Sequence, residues 1–397
     1  MAPPRITIIA DDLTGAMDVA GPLADRGLNT CAVASIEGCN KESLAAADVV
    51  SINADTRHLP AHAAAARVAD ILGSLSDPGT EILIKKIDST LRGNVVAETL
   101  AMLEASRRRL AVVAPAFPAQ GRTVTGGIVH VRGTPLAETD FAKDALTPPP
   151  LDPLHILFTR AARDTRVSLV GCGEPIRTAD SDARKVLAVD AETDDDLRAL
   201  VHSLRKQLRA ALLVGSAGIA QAVADVCFLR PASPPSHPVT DGTLLFVVGS
   251  RAQQSAQQVQ LLVEQTHASV VPAPNGRAGV SAAAAAPSRI LVLTATPDEH
   301  GDESDAVEVA RQLAESTAAL LDRRHIGALV VTGGDTAIAV LQRLGQPVLK
   351  VTGSLLPGIP FSRIQGAGKP IWFVTKAGGF GDPTTFVSIA RELHSPM

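Results

Sequence analysis

The 397-residue chain has no tyrosine, one tryptophan and nine phenylalanines, an aromatic share of 3%. A stacking platform of the kind that holds single-stranded nucleic acid cannot be built from so few rings. Charge of one sign is equally scarce. A net charge of −4 creates no global field for a polyanion or an anionic membrane, so any anion must be held by locally placed bases. The four cysteines, Cys31, Cys39, Cys172 and Cys227, form no C-x-x-C pair, which disfavours zinc and reads as reduced, packed thiols. No apolar run approaches the length of a membrane span, and the run at 6–10 is too short for a signal peptide, so a cytoplasmic setting is expected. G-x-x-x-x-G-K-[ST] is missing, and no G-x-G-x-x-G follows the first strand. A P-loop enzyme and a dinucleotide-dependent oxidoreductase are therefore both disfavoured. None of the ten histidines forms an H-E-x-x-H pair, and no long period repeats.

What is present fits an α/β protein of two domains. The length exceeds that at which one core stops growing, and 46% hydrophobic with 20% charged residues is ordinary globular usage. Short apolar runs at 6–10, 49–53, 82–85 and 112–114 alternate with helical patterns at 16–26, 61–72 and 95–107. This is how a mostly parallel sheet flanked by helices is written. Gly27 reads as a helix stop, and Asp194, Asp195 and Asp196 as acids at a helix start. The proline-rich stretch 229–238 can continue neither helix nor central strand, which puts the domain boundary there. Beyond it the alternation resumes, with strands expected at 244–248, 290–293, 329–332 and 371–375. The alanine run 281–287 receives no function.

Ligands of open α/β sheets bind beyond the carboxyl ends of the strands. Four such loops in the first half are unusually polar: Asp11-Asp12-Leu13-Thr14-Gly15-Ala16, Asp55-Thr56-Arg57, Lys86-Ile87-Asp88-Ser89-Thr90-Leu91-Arg92-Gly93-Asn94, and the segment from Pro115 through Gly121-Arg122. They supply Arg57, Lys85 or Lys86, Arg92 and Arg122 as cations and Asp12 and Asp88 as bases, a set suited to a carboxylate-bearing polyol. The second half offers glycine instead. Val248-Gly249-Ser250, Thr332-Gly333-Gly334-Asp335-Thr336 and Lys376-Ala377-Gly378-Gly379-Phe380-Gly381 each follow an expected strand. Glycine there lets backbone amides approach phosphate oxygens.

These segments, in order along nearly the whole chain, resemble the four-carbon acid sugar kinases, which include threonate, erythronate and oxo-tetronate kinases. The resemblance implies a sugar-acid-binding N-terminal domain (1–230), a nucleotide-binding C-terminal domain (239–397), and an active site in the interdomain cleft. It implies ATP and Mg²⁺ as cofactors, with transfer to a terminal hydroxyl. Asp11, Asp12, Arg57, Lys85, Lys86, Ile87, Asp88, Ser89, Arg92 and Arg122 would meet the acid, and Ser250, Gly333, Gly334, Asp335, Thr336, Gly378 and Gly379 the nucleotide. Asp88 or Asp12 would accept the hydroxyl proton; no metal ligand is assigned. Leu13 stands where oxo-tetronate kinases tend to carry phenylalanine, which favours D-threonate over the alternatives. The expected partners are the small acid and ATP, with neither nucleic acid nor membrane, and a homo-oligomer is left open. A sensor that merely binds acid and nucleotide is the rival reading.

Overall fold

The computed structural model describes residues 5–36, 44, 46–75, 80–143, 147–162, 164–174, 176, 183–228, 238–250, 252–296, 305–366 and 368–394. The proline-rich stretch, apart from Pro238, lies outside the described residues, as do Cys39 and Arg251. The chain divides into two compact units, one of Met1–Ala32 with Asn40–Pro234, the other of Val33–Cys39 with Pro235–Met397.

The first unit is built on β1 (Arg5–Ala10), β2 (Thr30–Val33), β3 (Val49–Asn53), β4 (Thr80–Lys86) and β5 (Leu110–Ala114). Further along the chain come β6 (Arg122–Thr125), β7 (Ile128–Val131), β8 (Thr134–Pro135), β9 (Thr165–Val170), β10 (Arg184–Val189) and β11 (Ala211–Gly215). The main sheet runs β2-β3-β1-β4-β11-β5-β10-β9, and every pairing from β3 to β9 is parallel. Strands such as Leu-Ala-Val-Val-Ala in β5 and Ala-Leu-Leu-Val-Gly in β11 are buried along their whole length. That is why they read as apolar runs rather than alternations. Helix α1 (Leu13–Ala24) is buried at every residue. Its small side chains let it lie against β3 and against the later helix at Ala217–Cys227. It runs through Gly21 and Pro22 before ending at Asp25. Helices α2 (Ala61–Ser74) and α3 (Val95–Ala105) follow β3 and β4 and pack on each other.

In the second unit the order is β13 (Ser269–Pro274), β14 (Ile290–Thr296), β12 (Thr243–Val248), β15 (Ile326–Thr332), β18 (Pro370–Lys376), β17 (Ile359–Gln365) and β16 (Val348–Leu356). Pairings from β13 to β18 are parallel, whereas β18-β17 and β17-β16 are antiparallel. Strand β16 alternates in burial along much of its length, and a pattern of that kind is not an apolar run. For the same reason the small antiparallel sheet β6-β7-β8 is absent from the strands expected above. The core of this unit centres on Phe246 and Phe386, whose rings are 5.2 Å apart.

Each parallel sheet has a point where the chain reverses its direction of travel across the strands. In the first unit β1 lies between β3 and β4; in the second, β12 lies between β14 and β15. The crevice beyond the strand ends at such a point is where open α/β sheets bind ligands.

Candidate functional site

At the first reversal the strand ends are level: Ala10 of β1 faces Asn53 of β3 on one side and Lys86 of β4 on the other. The loops that follow therefore start at one height, and their charged groups interlock. Arg57 donates through Nε to Asp11 Oδ2 and through Nη1 to Asp12 Oδ2, both at 2.8 Å, with Nη2 3.9 Å from Asp88 Oδ1. Arg92 forks onto Asp88, Nε to Oδ2 at 3.1 Å and Nη2 to Oδ1 at 2.9 Å. The backbone amide and the hydroxyl of Thr90 also donate to Asp88 Oδ2. Leu91, between these donors, takes the left-handed backbone at φ 62° with its side chain buried. A strain of that kind persists only where the surroundings over-determine it.

Asp12 caps α1. Its Oδ1 accepts from the Gly15 amide at 2.8 Å and its Oδ2 from the Thr14 hydroxyl at 2.5 Å. A Cβ on Gly15 would stand 2.6 Å from Asp12 Oδ1 and 2.9 Å from Lys86 Nζ. Glycine is thus what lets a carboxylate and an ammonium share the start of this helix. Burial alone would raise both Asp12 and Asp88. For Asp12 it is outweighed by Arg57, Lys86 and the two capping hydrogen bonds, which hold the carboxyl below its ordinary value. For Asp88 it is outweighed by Arg92, then Arg57 and the Thr90 hydrogen bond, which hold it well below. Arg57, half-buried and partly desolvated, is nevertheless raised by Asp11, Asp12 and Asp88.

The neighbouring lysines part company. Lys86 Nζ donates to the Ile87 carbonyl at 2.9 Å beside the α1 start. Lys85 is fully buried, with Nζ 2.7 Å from Glu98 Oε2 of α3 and bonded to the carbonyls of Ile9 and Lys86. The structure thus holds Lys85 in a buried ion pair with Glu98 while Lys86 turns to the start of α1, because consecutive strand residues point to opposite faces. Ile87 is buried, and its amide donates to the Gly215 carbonyl. Ser89 Oγ and Asp11 Oδ1 are buried with no hydrogen-bond partner among the described residues. Arg122, on β6, is 2% exposed, and its guanidinium lies 5.6 Å from the Phe141 ring centre. Burial pulls it down to about 10, with Asp88 opposing and Arg132 and Arg92 reinforcing. A buried cation in that condition favours an added anion.

At the second reversal Val248 of β12 is level with Thr332 of β15, which is level with Lys376 of β18. The three glycine turns meet there. Gly333, at φ 103°, precedes helix α10 (Gly334–Arg343), which carries Asp335 exposed and Thr336 buried in its first turn. (In chain order the intervening helices are α4 Leu154–Ala161, α5 Asp194–Leu204, α6 Ala217–Cys227, α7 Gln253–Thr266, α8 Val280–Ala285 and α9 Ala306–Arg323.) A Cβ on Gly378 would meet Ser250 Oγ at 2.1 Å, and one on Gly249 would meet Thr336 Oγ1 at 1.9 Å. The half-buried Gly379 continues the same turn. Backbone amides at a helix start, with glycines that allow close approach, form an anion cradle.

Residues 6–223 match the family model of a sugar-binding N-terminal domain, and residues 245–386 that of a nucleotide-binding C-terminal domain. The chain is 35% identical to the D-threonate kinase of Cupriavidus necator, covering 94% of each chain. It belongs to the four-carbon acid sugar kinase family. A 3-oxo-tetronate kinase of the same organism is 28% identical over 98% of this chain and 97% of its own. A solved Salmonella typhimurium LT2 structure, described under the name tRNA synthase, superposes with a TM-score of 0.75 at 25% identity, covering 98% and 99% of the two chains.

Two residues of this four-carbon acid sugar kinase escaped the sequence reading. Arg132 sits in the turn after β7 and bears on Arg122; its hairpin alternates and gives no apolar run. Asp18, in α1, is 5% exposed with Oδ1 unpartnered among the described residues. A charged residue in a run as apolar as Leu13–Ala24 was the available signal. Burial raises the Asp18 carboxyl to about 7, with Lys86 opposing and Asp12 reinforcing. The folded protein therefore keeps a proton there that the unfolded chain releases above 3.8. Stability from this group is present below 3.8 and is lost as pH rises through about 7. The loss is on the order of 4 kcal/mol at most. Asp18→Asn is expected to melt several degrees above the parent at pH 8 and close to it at pH 4, as thermal unfolding at the two values would read. An equal difference at both would contradict a titrating Asp18.

Proposed function

We propose that the chain transfers the γ-phosphoryl group of ATP to the terminal hydroxyl of a four-carbon sugar acid, D-threonate first, giving 4-phospho-D-threonate. The observation that carries this reading is the pairing of two chemically opposite reversal points. One is lined by arginines and ionised carboxylates, the other by glycine turns at the start of α10. The identity to a D-threonate kinase over nearly the full length supports the choice of acid.

Phosphoryl transfer asks for positioning and charge neutralisation more than for covalent help. The buried Arg122, pulled down to about 10, suits the acid's carboxylate. Asp11 Oδ1 and Ser89 Oγ, both unpartnered among the described residues, suit the hydroxyls. The proton acceptor can be argued from how strongly donors already hold each carboxylate. Asp88 Oδ2 receives Thr90 N, Thr90 Oγ1 and Arg92 Nε and its Oδ1 receives Arg92 Nη2, and these donors hold the carboxyl well below its ordinary value. Asp12 receives Thr14 Oγ1 and Arg57 Nη1 on Oδ2 and Gly15 N on Oδ1, and it is held less far below its ordinary value, so it is the more basic of the two. Asp12 is therefore the base, and Asp88 the anchor that orients the two arginines. On the nucleotide side Ser250, Gly333, Gly334, Thr336, Gly378 and Gly379 hold the phosphates. Mg²⁺ bound to ATP commonly takes only one or two protein carboxylates, and the exposed Asp335 beside the glycine turns fits that requirement. Bound there, the ion would neutralise phosphate charge. Among the described residues Cys31, Cys172 and Cys227 form no disulfide, which supports a cytoplasmic setting. Among the described residues no helix is long and apolar enough to cross a membrane.

The test is ATP consumption with Mg²⁺ on a panel of D-threonate, D-erythronate and 3-oxo-tetronate. We expect kcat/KM for D-threonate to exceed the others by at least about tenfold, the size of one well-placed hydroxyl contact. Activity on none would overturn the reading, and nucleotide binding without turnover would favour the sensor.

A further inference from the structure

Lys376, the last residue of β18, is fully buried, yet its ammonium is directed at main chain. Nζ donates to the carbonyls of Ala377 at 2.8 Å, Gly378 at 3.2 Å and Phe380 at 3.1 Å, all in the glycine turn that follows. Two buried residues of α7 assist. Ser255 Oγ donates to the Gly378 carbonyl at 3.1 Å, and Gln258 Nε2 to those of Phe380 at 3.0 Å and Asp382 at 2.8 Å. The backbone of Lys376 also reaches the neighbouring turn, since its carbonyl accepts from the Gly333 amide at 3.1 Å.

A trans peptide points its N–H opposite to its C=O. Drawing the carbonyls of Ala377 and Gly378 down onto the ammonium therefore turns the amides of Gly378 and Gly379 away from it. An added Cβ on Gly378 would meet Ser250 Oγ, so this turn lies against the Gly249-Ser250 turn. The lysine charge, held beneath the turn at low dielectric, adds positive potential to the same place.

We propose that Lys376 is a positioning residue for the nucleotide's phosphates, fixing the amides of the 377–381 turn and its register with the Gly333 turn. The proposal rests on the reading of this unit as the ATP-binding one. It predicts that loss of the ammonium weakens phosphate-bearing ligands and spares the nucleoside.

The experiment is calorimetric binding of ADP and of adenosine, without added metal, to the full chain and to Lys376→Met. We expect ADP to weaken by roughly tenfold or more, the size of a few lost charge-assisted hydrogen bonds, with adenosine unchanged within about twofold. Equal weakening of both ligands, or of neither, would overturn the proposal. If Lys376→Met does not fold, Ser255→Ala carries the test, with a smaller ADP-selective loss expected and a non-selective or absent one contradicting it. A parent protein that binds neither ADP nor ATP would instead remove the nucleotide reading itself.

Discussion

Asp12→Asn is expected to lower kcat by about 10²- to 10⁴-fold, the range a positioned general base contributes. Asparagine caps helices as well as aspartate does, so α1 should keep its start. The amide also retains an oxygen to accept from the Gly15 amide. What disappears is the charge that Arg57 and Lys86 hold ionised, and with it the proposed proton acceptor. Arg57 keeps Asp11 and Asp88 as partners, so the fall in melting temperature should be smaller than that of Arg57→Met. Asp88→Asn is the control. It weakens the carboxylate that orients Arg92 and lies 3.9 Å from Arg57, so KM for the acid should rise more than kcat falls. Steady-state kinetics on both variants decide the matter. A kcat for Asp12→Asn within about threefold of the parent, or the reverse split between the variants, would move the base role away from Asp12.

Arg57→Met is the second large effect, and here stability is what changes. Asp11, Asp12 and Asp88 are all buried around one guanidinium. Removing one partner of a buried ionic group leaves charge uncompensated, at a cost of about 3–5 kcal/mol. In a unit of this size that is a fall of roughly 10 °C in melting temperature. The effect should depend on pH with a definite sign. Asp12 and Asp88 are held below 3.8 in the folded protein. Their contribution is present above 3.8 and is lost as pH falls through the folded values. Without Arg57 both carboxyls rise toward protonation. The gap between parent and variant should be full at pH 7 and narrow on acidification. Melts at pH 7 and pH 4 would measure it, and a variant within about 2 °C of the parent at pH 7 would contradict the compensating role.

Much of this arrangement is written locally. The runs 6–10, 49–53, 82–85 and 112–114 lie inside β1, β3, β4 and β5, because strands buried on both faces leave a continuous apolar signal. The polar groups at their ends were legible as strand-end loops for the same reason. Strands β16 and β17 and the β6-β7-β8 hairpins were not, since their residues alternate or mix with turns. Asp18 was passed over because an acid inside an apolar helix carries no motif, and Arg132 because it sits in a hairpin turn.

By itself, then, the sequence determined the α/β class and the existence of charged loops in one half and glycine turns in the other. It also carried the motifs that mark the family. The tertiary structure decided which of those residues share a site. Lys85 and Lys86 are adjacent in the chain, yet the pleat sends one to Glu98 and the other to the start of α1. No local pattern says which face is interior. Strand order did the rest. Only the placement of β1 between β3 and β4, and of β12 between β14 and β15, brings the loops after those strand ends together. That order is fixed by long-range packing, which local spacing does not encode.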